Sequence, residues 1–427
     1  MELSPGYVLT EFGELPEQWR VATLEELQPF VTSGSRGWAE FYSERGLPFL
    51  RITNMSRASI YLDLTDLKFV NLPAGANEGT RTALKAGDVL ISITADIGIV
   101  AYVDDVVPMP AFINQHIALV RFEKAKADAR FVSYFLAGER AQQRFRSSTD
   151  VGAKAGMSLL TVRKLAVALP PLAEQRAIAA ALGDVDALLA SLDKLIAKKR
   201  DLKQAAMQQL LTGRTRLPGF SGKWDTGRLG EHVQFLRNGT HARAELDGSS
   251  STRYLHYGDI HTSSSVRMDL GLEAVPRLSS GRARSLDRLA QGDLVFVDAS
   301  EDMVGVGKAV EVILPVGVEA VAGLHTIACR FDRELLADGF KAYLPFMPPF
   351  REQLTRLAAG TKVYSTSHRH IAGITMALPN LSEQKAIAAV LSDMDAELDA
   401  LERRREKTVL IKQGMMQELL SGRTRLV

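Results

Sequence analysis

Two long stretches of the chain carry apolar residues at alternating steps of four and three. In the first, Ile178, Leu182, Val185, Leu189, Leu192 and Ile196 fall on this spacing; in the second, Ile387, Leu391, Met394, Leu398 and Leu401 do so. Such a period gathers one apolar stripe on one face of a helix and predicts two long helices paired through their stripes, as in a coiled coil. Pro170 and Pro171 mark the start of the first helix, and Glu174 lies in its first turn, where the helix dipole favours an anion. Gly213 follows Leu210 and Leu211 as a stop signal, with Gly422 in the same role in the second stretch. Arg214 and Arg216 then sit where cations suit the negative helix end. The helices are predicted over Glu174–Leu211 and Glu383–Leu420, and the first would span roughly 57 Å at 1.5 Å per residue. The seam weakens at Lys199, Arg405 and Thr408, so tight pairing is expected along only part of each helix.

The regions between the helices read differently. "GDVLISITADIGIVAYV" from Gly87 and "GDLVFVDASEDMVGVGKAVEV" from Gly292 each combine a Gly-Asp turn, an apolar strand-like run, a polar stretch and a second strand. The chain also repeats itself. "LPPLAEQRAIAAALGDVDALLASLDKLIAKKRDLKQAAMQQLLTGRTRL" from Leu169 aligns without gaps to the 49 residues from Leu378, at an offset of 209, with about 27 identities. At the same offset "NQHIALVRF" (Asn114–Phe122) matches "GLHTIACRF" (Gly323–Phe331). "VGAKAGMS" resembles "AGTKVYST", and "LPFLRITNM" is placed like "TRYLHYGDI". Two copies are too few for a solenoid and imply a pseudo-dimer in one chain. The expected class is α+β: two mixed α/β domains joined by two long antiparallel coiled-coil helices in a pseudo-two-fold arrangement. The boundaries fall at 1–168, 169–217 (first helix), 218–377 and 378–427 (second helix). Leu217-Pro218 and Trp224 follow the first helix, whereas Leu15-Pro16 and Trp19 stand near the start of the chain. The order reads like a two-unit ring cut open near residue 1, with the last helix packed beside the first domain.

Composition narrows the class. The 427 residues exceed one ordinary core, and 46% hydrophobic with 24% charged residues is usual for a soluble globular protein. No apolar run reaches the roughly 18–20 residues of a membrane helix, and the N-terminus has no secretion signal, so the cytoplasm is expected. Cys329, the single cysteine, reads as a small buried hydrophobe. A net charge of +2 is low for a protein held to nucleic acid by charge alone. A DNA role would rest on local placement of Arg and Lys, or on partners that supply charge.

Catalytic motifs are incomplete. "MPPF" (Met347–Phe350) approaches an amino-methyltransferase motif, but Met347 offers no acceptor for the target amine and the segment reads as a turn. "GVGKA" (Gly305–Ala309) lacks the flanking residues of a phosphate loop and reads as a hairpin turn. Histidines concentrate in the second domain without a metal-ligand pattern, and "HRH" (His368–His370) reads as a surface or DNA-facing loop. No catalytic residue and no metal site are expected. A pure coiled-coil scaffold or adaptor is the alternative reading. Against it stand two globular segments of roughly 150–160 residues each.

"LPPLAEQRAIAAAL" with "LLTGRTRL", repeated after a second variable domain, resembles the specificity subunit of type I restriction–modification systems. The Gly-Asp strand modules and "YSERGLPFLRITNM" (Tyr42–Met55) are similar to that family's target-recognition domains. The resemblance implies that each domain reads one half of a split, double-stranded DNA target in the major groove, the N-terminal domain taking the 5′ half. It implies that the helices set the spacer and dock two methyltransferase subunits. Those subunits modify adenine N6 with S-adenosylmethionine, and restriction–translocase subunits that use ATP and Mg complete the enzyme. The specificity subunit itself carries no cofactor and does no chemistry.

Polar residues in loops between strands are the candidates for DNA contact. In the first domain these are Ser35, Arg36, Arg51, Asn54, Arg57, Thr94 and Lys154. In the second they are Asn238, His241, Arg243, His256, Tyr257, Lys362, Tyr364, Ser367 and Arg369. Arg can grip guanine and Asn adenine in bidentate fashion, while each residue could equally serve a local salt bridge or a solvated loop.

If the helices are the ruler, inserting one heptad after Leu189 keeps the seam in register and lengthens the rod by at most roughly 10 Å. On DNA rising 3.4 Å per base pair, that is at most about three base pairs. Methylome sequencing of a host carrying the mutant complex should show the old half-sites with a longer gap. Retention of the original spacing would remove the ruler role.

Overall fold

A computed structural model describes residues 5–73, 79–147, 156–302, 305–357 and 364–426. The chain forms two compact units, one of residues 1–193 with 404–427 and one of residues 194–403. Two helices of 39 residues, α1 (Leu172–Leu210) and α2 (Leu381–Leu419), each contribute one half to each unit. Both start two residues earlier and end one residue earlier than the apolar pattern predicts.

In the first unit the central sheet contains β1 (Phe30–Ser33), β2 (Val89–Ser92), β3 (Val100–Tyr102) and β4 (Ile117–Arg121), ordered β1-β4-β2-β3 and antiparallel throughout. In the second unit β5 (Val233–Leu236), β6 (Arg267–Asp269), β7 (Leu294–Val297), β8 (Ala309–Ile313) and β9 (Thr326–Phe331) are ordered β5-β9-β7-β8-β6, with only the β6–β8 pair parallel. The two sheets share register: Leu119 pairs with Leu90 as Ala328 pairs with Val295. Nearly continuous apolar runs form β2, β4, β7 and β9 because both faces of each strand are covered. The Gly-Asp turn closes onto the sheet through a bidentate ion pair. Asp88 accepts from Arg121 at 2.6 and 2.7 Å, and Asp293 accepts from Arg330 at 2.9 and 2.7 Å.

A smaller sheet accompanies each central one. Leu47–Leu50 runs parallel to Phe112–Ile113, and Thr252–Leu255 runs parallel to Ala320–Ala322. The globular part of each unit is tied off by a strand pair, Arg20–Thr23 with Ala166–Leu169 and Asp225–Arg228 with Thr375–Leu378.

Helix halves pair antiparallel inside each unit. In the first, Lys412 meets Asp186 at 2.7 Å and Arg405 meets Asp193, so one number rises as the other falls. In the second, Lys199 meets Glu397 and Arg200 meets Glu402, each at 2.6 Å, and Lys203 meets Asp395. The apolar seam serves more than helix pairing. Ile178 and Leu182 lie in the core of the first unit with Phe131, Trp19 and Leu419, while Ile387 and Leu391 lie in the second core with Phe340 and Leu210. Leu192, Ile196 and Leu398 are buried; Val185, Leu189, Met394 and Leu401 are half-buried. Where the pattern weakens, buried Thr408 donates its hydroxyl to the Arg404 carbonyl, so that position carries a polar contact.

The repeated closing motif is held by its glycines. Gly213 and Gly422 adopt φ of +68° and +69°, and the next turn folds back as Thr215 N–H donates to the Gln209 carbonyl and Thr424 N–H to the Glu418 carbonyl. The end of α2 joins the first unit, where the Tyr7 hydroxyl donates to the Gly422 carbonyl at 3.0 Å and Leu420 enters the core with Leu15 and Trp19. Two expected turns are instead helical. Pro348 and Pro349 of "MPPF" open a helix over Pro348–Leu357, because proline at the first helical positions loses no needed donor. "HRH" begins a short helix, His368–Gly373, capped by Ser367.

Asp186 and Lys412 are nearly buried, and the Tyr134 hydroxyl donates to the same carboxylate at 2.6 Å. Lys412→Met leaves that charge without a cation and should lower stability by about 3 kcal/mol, read as a drop of several degrees in Tm. Lys412→Met with Asp186→Asn removes the stranded charge and keeps an acceptor for Tyr134, so it should recover most of the loss.

Candidate nucleic-acid interface

The register equivalence of β4 and β9 brings two short turns to matching places, Asn114–His116 before β4 and Gly323–His325 before β9. Each turn is bonded to the segment that leaves the neighbouring strand. Ile93 N–H donates to the His116 carbonyl at 2.9 Å, and Asp298 N–H donates to the His325 carbonyl at 3.2 Å. Polar loops then collect around both turns.

In the first unit, Ser35 bridges Asn114, and the Thr94 hydroxyl lies 2.5 Å from His116 Nδ1. Gln115 Nε2 lies 3.0 Å from His116 Nε2, so both ring nitrogens are engaged. Arg36 is exposed and has no hydrogen bond among the described residues. The other first-domain candidates serve the frame. Asn54 is 2% exposed, and its Oδ1 accepts from Arg51 N–H while its Nδ2 donates to the Asp63 and Asp66 carbonyls. Arg51 reaches Asp66 at 3.0 Å, and Arg57 ties Asp96, Gln142 and the Ile97 carbonyl together. Asn54 and Arg51 therefore hold a turn rather than present base-reading groups. Lys154 and Lys362 lie outside the described residues.

The second unit gathers more of its candidates. Asn238 Nδ2 donates to the Gly323 carbonyl at 3.1 Å. The buried Tyr254 hydroxyl accepts from Leu324 and His241 N–H groups, both at 3.0 Å, and donates to the His241 carbonyl. Tyr257 N–H donates to the Leu324 carbonyl, and the Tyr257 ring meets His325 edge-on at 5.4 Å. The strand pair of Ala299–Ser300 with Tyr364–Ser365 carries Tyr364 to the same edge, and Thr366 N–H donates to the Asp298 carbonyl at 2.7 Å. Ser367 caps the following helix and Arg369 is exposed on it. Arg243 is paired with Asp259 at 2.8 Å.

His256 is the clearest correction in this unit. It is 5% exposed, and its Nδ1 accepts from Gly258 N–H at 3.3 Å, while Asp259 caps back onto His256 N–H. Burial pushes its pKa down and Asp259 pulls it up, with Arg243 and His325 adding to the fall. His256 and Asp259 thus repeat the turn built by Arg51 and Asn54. Two neighbours were not among the sequence candidates for DNA contact. Lys308 donates to the His261 and Ser263 carbonyls, both at 2.8 Å, with its pKa lowered by burial. His325 was visible only as a member of a repeated segment. No group of three His, Cys, Asp or Glu among the described residues is arranged to hold a metal ion, and no described helix is long and apolar enough to cross a membrane.

Comparison with known proteins fits this arrangement. Residues 16–199 match the family described as type I restriction modification DNA specificity domain. The chain is 23% identical to a protein of Methanocaldococcus jannaschii described as a type I restriction enzyme MjaX specificity subunit, over 98% of this chain and 96% of that one. Over residues 16–199 the chain is thus similar to the type I restriction–modification DNA specificity family. A second relative from that organism, the MjaVIII specificity subunit, is 23% identical over 61% of this chain and 62% of its own length. The type I S subunit from M. genitalium shares the fold, with a TM-score of 0.61, 12% identity and 98% of each chain covered.

Asn54→Ala should act on stability alone. Losing its three internal bonds should cost about 1–3 kcal/mol, measurable by thermal unfolding. The methylated motif should stay the same, and a changed motif would return Asn54 to the reading surface.

Proposed function

We propose that this chain is the non-catalytic DNA-reading subunit of a type I complex, with each unit reading one half of a bipartite site. The observation that carries this is a duplicated frame fitted with different turns. Sheet order, register, the Asp–Arg pair and the Tyr–Asp–Lys contact recur in both units. The turns differ: Asn-Gln-His with bonded ring nitrogens in one, Gly-Leu-His with a supporting carboxylate in the other. Two copies of one frame with unlike turns suit a split target whose halves differ in sequence. A scaffold without reading heads has no use for such turns.

In this reading the first unit takes the 5′ half and the second the 3′ half. Ser35, Arg36, Thr94, Asn238, His241, Tyr257, Tyr364, Ser367 and Arg369 supply the DNA contacts, with Lys154 and Lys362. The α1–α2 pair sets the spacer and carries two methyltransferase subunits, with restriction–translocase subunits joining them. S-adenosylmethionine, ATP and Mg belong to those partners. Chemistry on a base inside a duplex requires extruding it, so a reader and a modifying subunit divide the task.

Grafting tests the reading. Arg20 and Val167 lie in the strands that close the first globular part, where Val21 pairs with Ala168. Replacing residues 20–167 with another member's equivalent keeps that closure on the same helices. The methylome should show one half-site changed and the other kept. A change in both half-sites overturns the proposal.

A further inference from the structure

We infer that His325 is a specificity-determining residue of the second unit, reading the exocyclic amine of a cytosine or adenine through Nε2, with Asp298 as its positioning residue. The inference rests on the DNA-reading role proposed above. Four observations converge on this side chain. His325 holds φ of +56°, a left-handed backbone that disfavours residues other than glycine and persists only where the surroundings enforce it. Asp298 Oδ1 lies 3.2 Å from Nδ1 and fixes the ring from behind. The Tyr257 ring meets the imidazole edge-on, with an interplanar angle of 89°. The side chain is nevertheless 50% exposed, and Nε2 has no partner among the described residues.

The surroundings are rigid. Gly323 is held by Asn238, Leu324 by Tyr254 and Tyr257, and Asp298 by Thr366. With Nδ1–H donated to Asp298, a neutral ring presents Nε2 as an acceptor. An outward acceptor complements the amino groups that cytosine N4 and adenine N6 display in the major groove. The matching histidine of the first unit shows the contrast. Thr94 and Gln115 occupy both nitrogens of His116, so that ring is spent inside its own unit. A merely structural histidine at position 325 would resemble His116.

The test is methylome sequencing of a host expressing the complete complex with wild-type, His325→Gly or Asp298→Ala subunit. Glycine removes the ring and accepts the left-handed backbone without strain. Both variants should lose roughly tenfold discrimination at the same single position of one half-site, leaving the other half-site and the spacer unchanged. A bipartite wild-type motif that survives both substitutions overturns the role of His325 and leaves the DNA-reading proposal standing. A wild-type motif without two halves removes both. If His325→Gly abolishes methylation, Asp298→Ala decides: relaxation at one position supports the assignment, and an unchanged motif or changes in both halves overturn it.

Discussion

The structure depends on a carboxylate near the start of each long helix meeting an arginine just past the end of the other. Arg425 grips Glu174 at 2.5 and 2.7 Å, and Arg216 grips Glu383 at 2.5 Å through two nitrogens. Both glutamates are almost fully buried, so each carboxylate needs its guanidinium. The helix dipole adds to the attraction, since an anion suits the helix start and a cation the helix end. Each clasp joins one copy of the repeat to the other, and each closes within one unit. One duplicated sentence therefore supplies both halves of two equivalent locks.

Further in from each clasp, the same logic fastens the globular part. Tyr134 reaches Asp186 and Tyr343 reaches Asp395, and each aspartate is also met by a lysine from the opposite helix half. Burial together with the neighbouring aspartate raises both phenols' pKa values, so each hydroxyl stays protonated and donates. Gln175 and Gln384 complete the junction by bonding the carbonyl five residues earlier and an N–H of the globular part. These contacts are directional, which makes them better at setting orientation than an apolar seam alone.

The frame also consumes charge. Arg51, Arg57, Arg121, Arg243 and Arg330 all face carboxylates inside their own units. These pairs hold five of the chain's 52 Lys and Arg side chains inside the units, in a protein whose net charge is only +2. Each of these five arginines, Arg51 and Arg57 in loops among them, is therefore engaged by its own unit.

The sequence by itself determined the helices, their ends, the duplication and the return of the last helix to the first domain, because these follow from local period and from repeated words. It also placed β2 and β3, and β7 and β8, as the two strand-like runs that follow each Gly-Asp turn. Tertiary structure alone decided which polar side chains are spent. Asn54, Arg57 and His256 look like readers until Asp63, Asp96, Gln142 and Gly258 are seen beside them, and His325 looks ordinary until its backbone, Asp298 and Tyr257 are seen together. A hydrogen bond is exclusive and is made across tens of residues. Periodicity records what a residue is, whereas availability for DNA depends on which neighbour the fold has already given it.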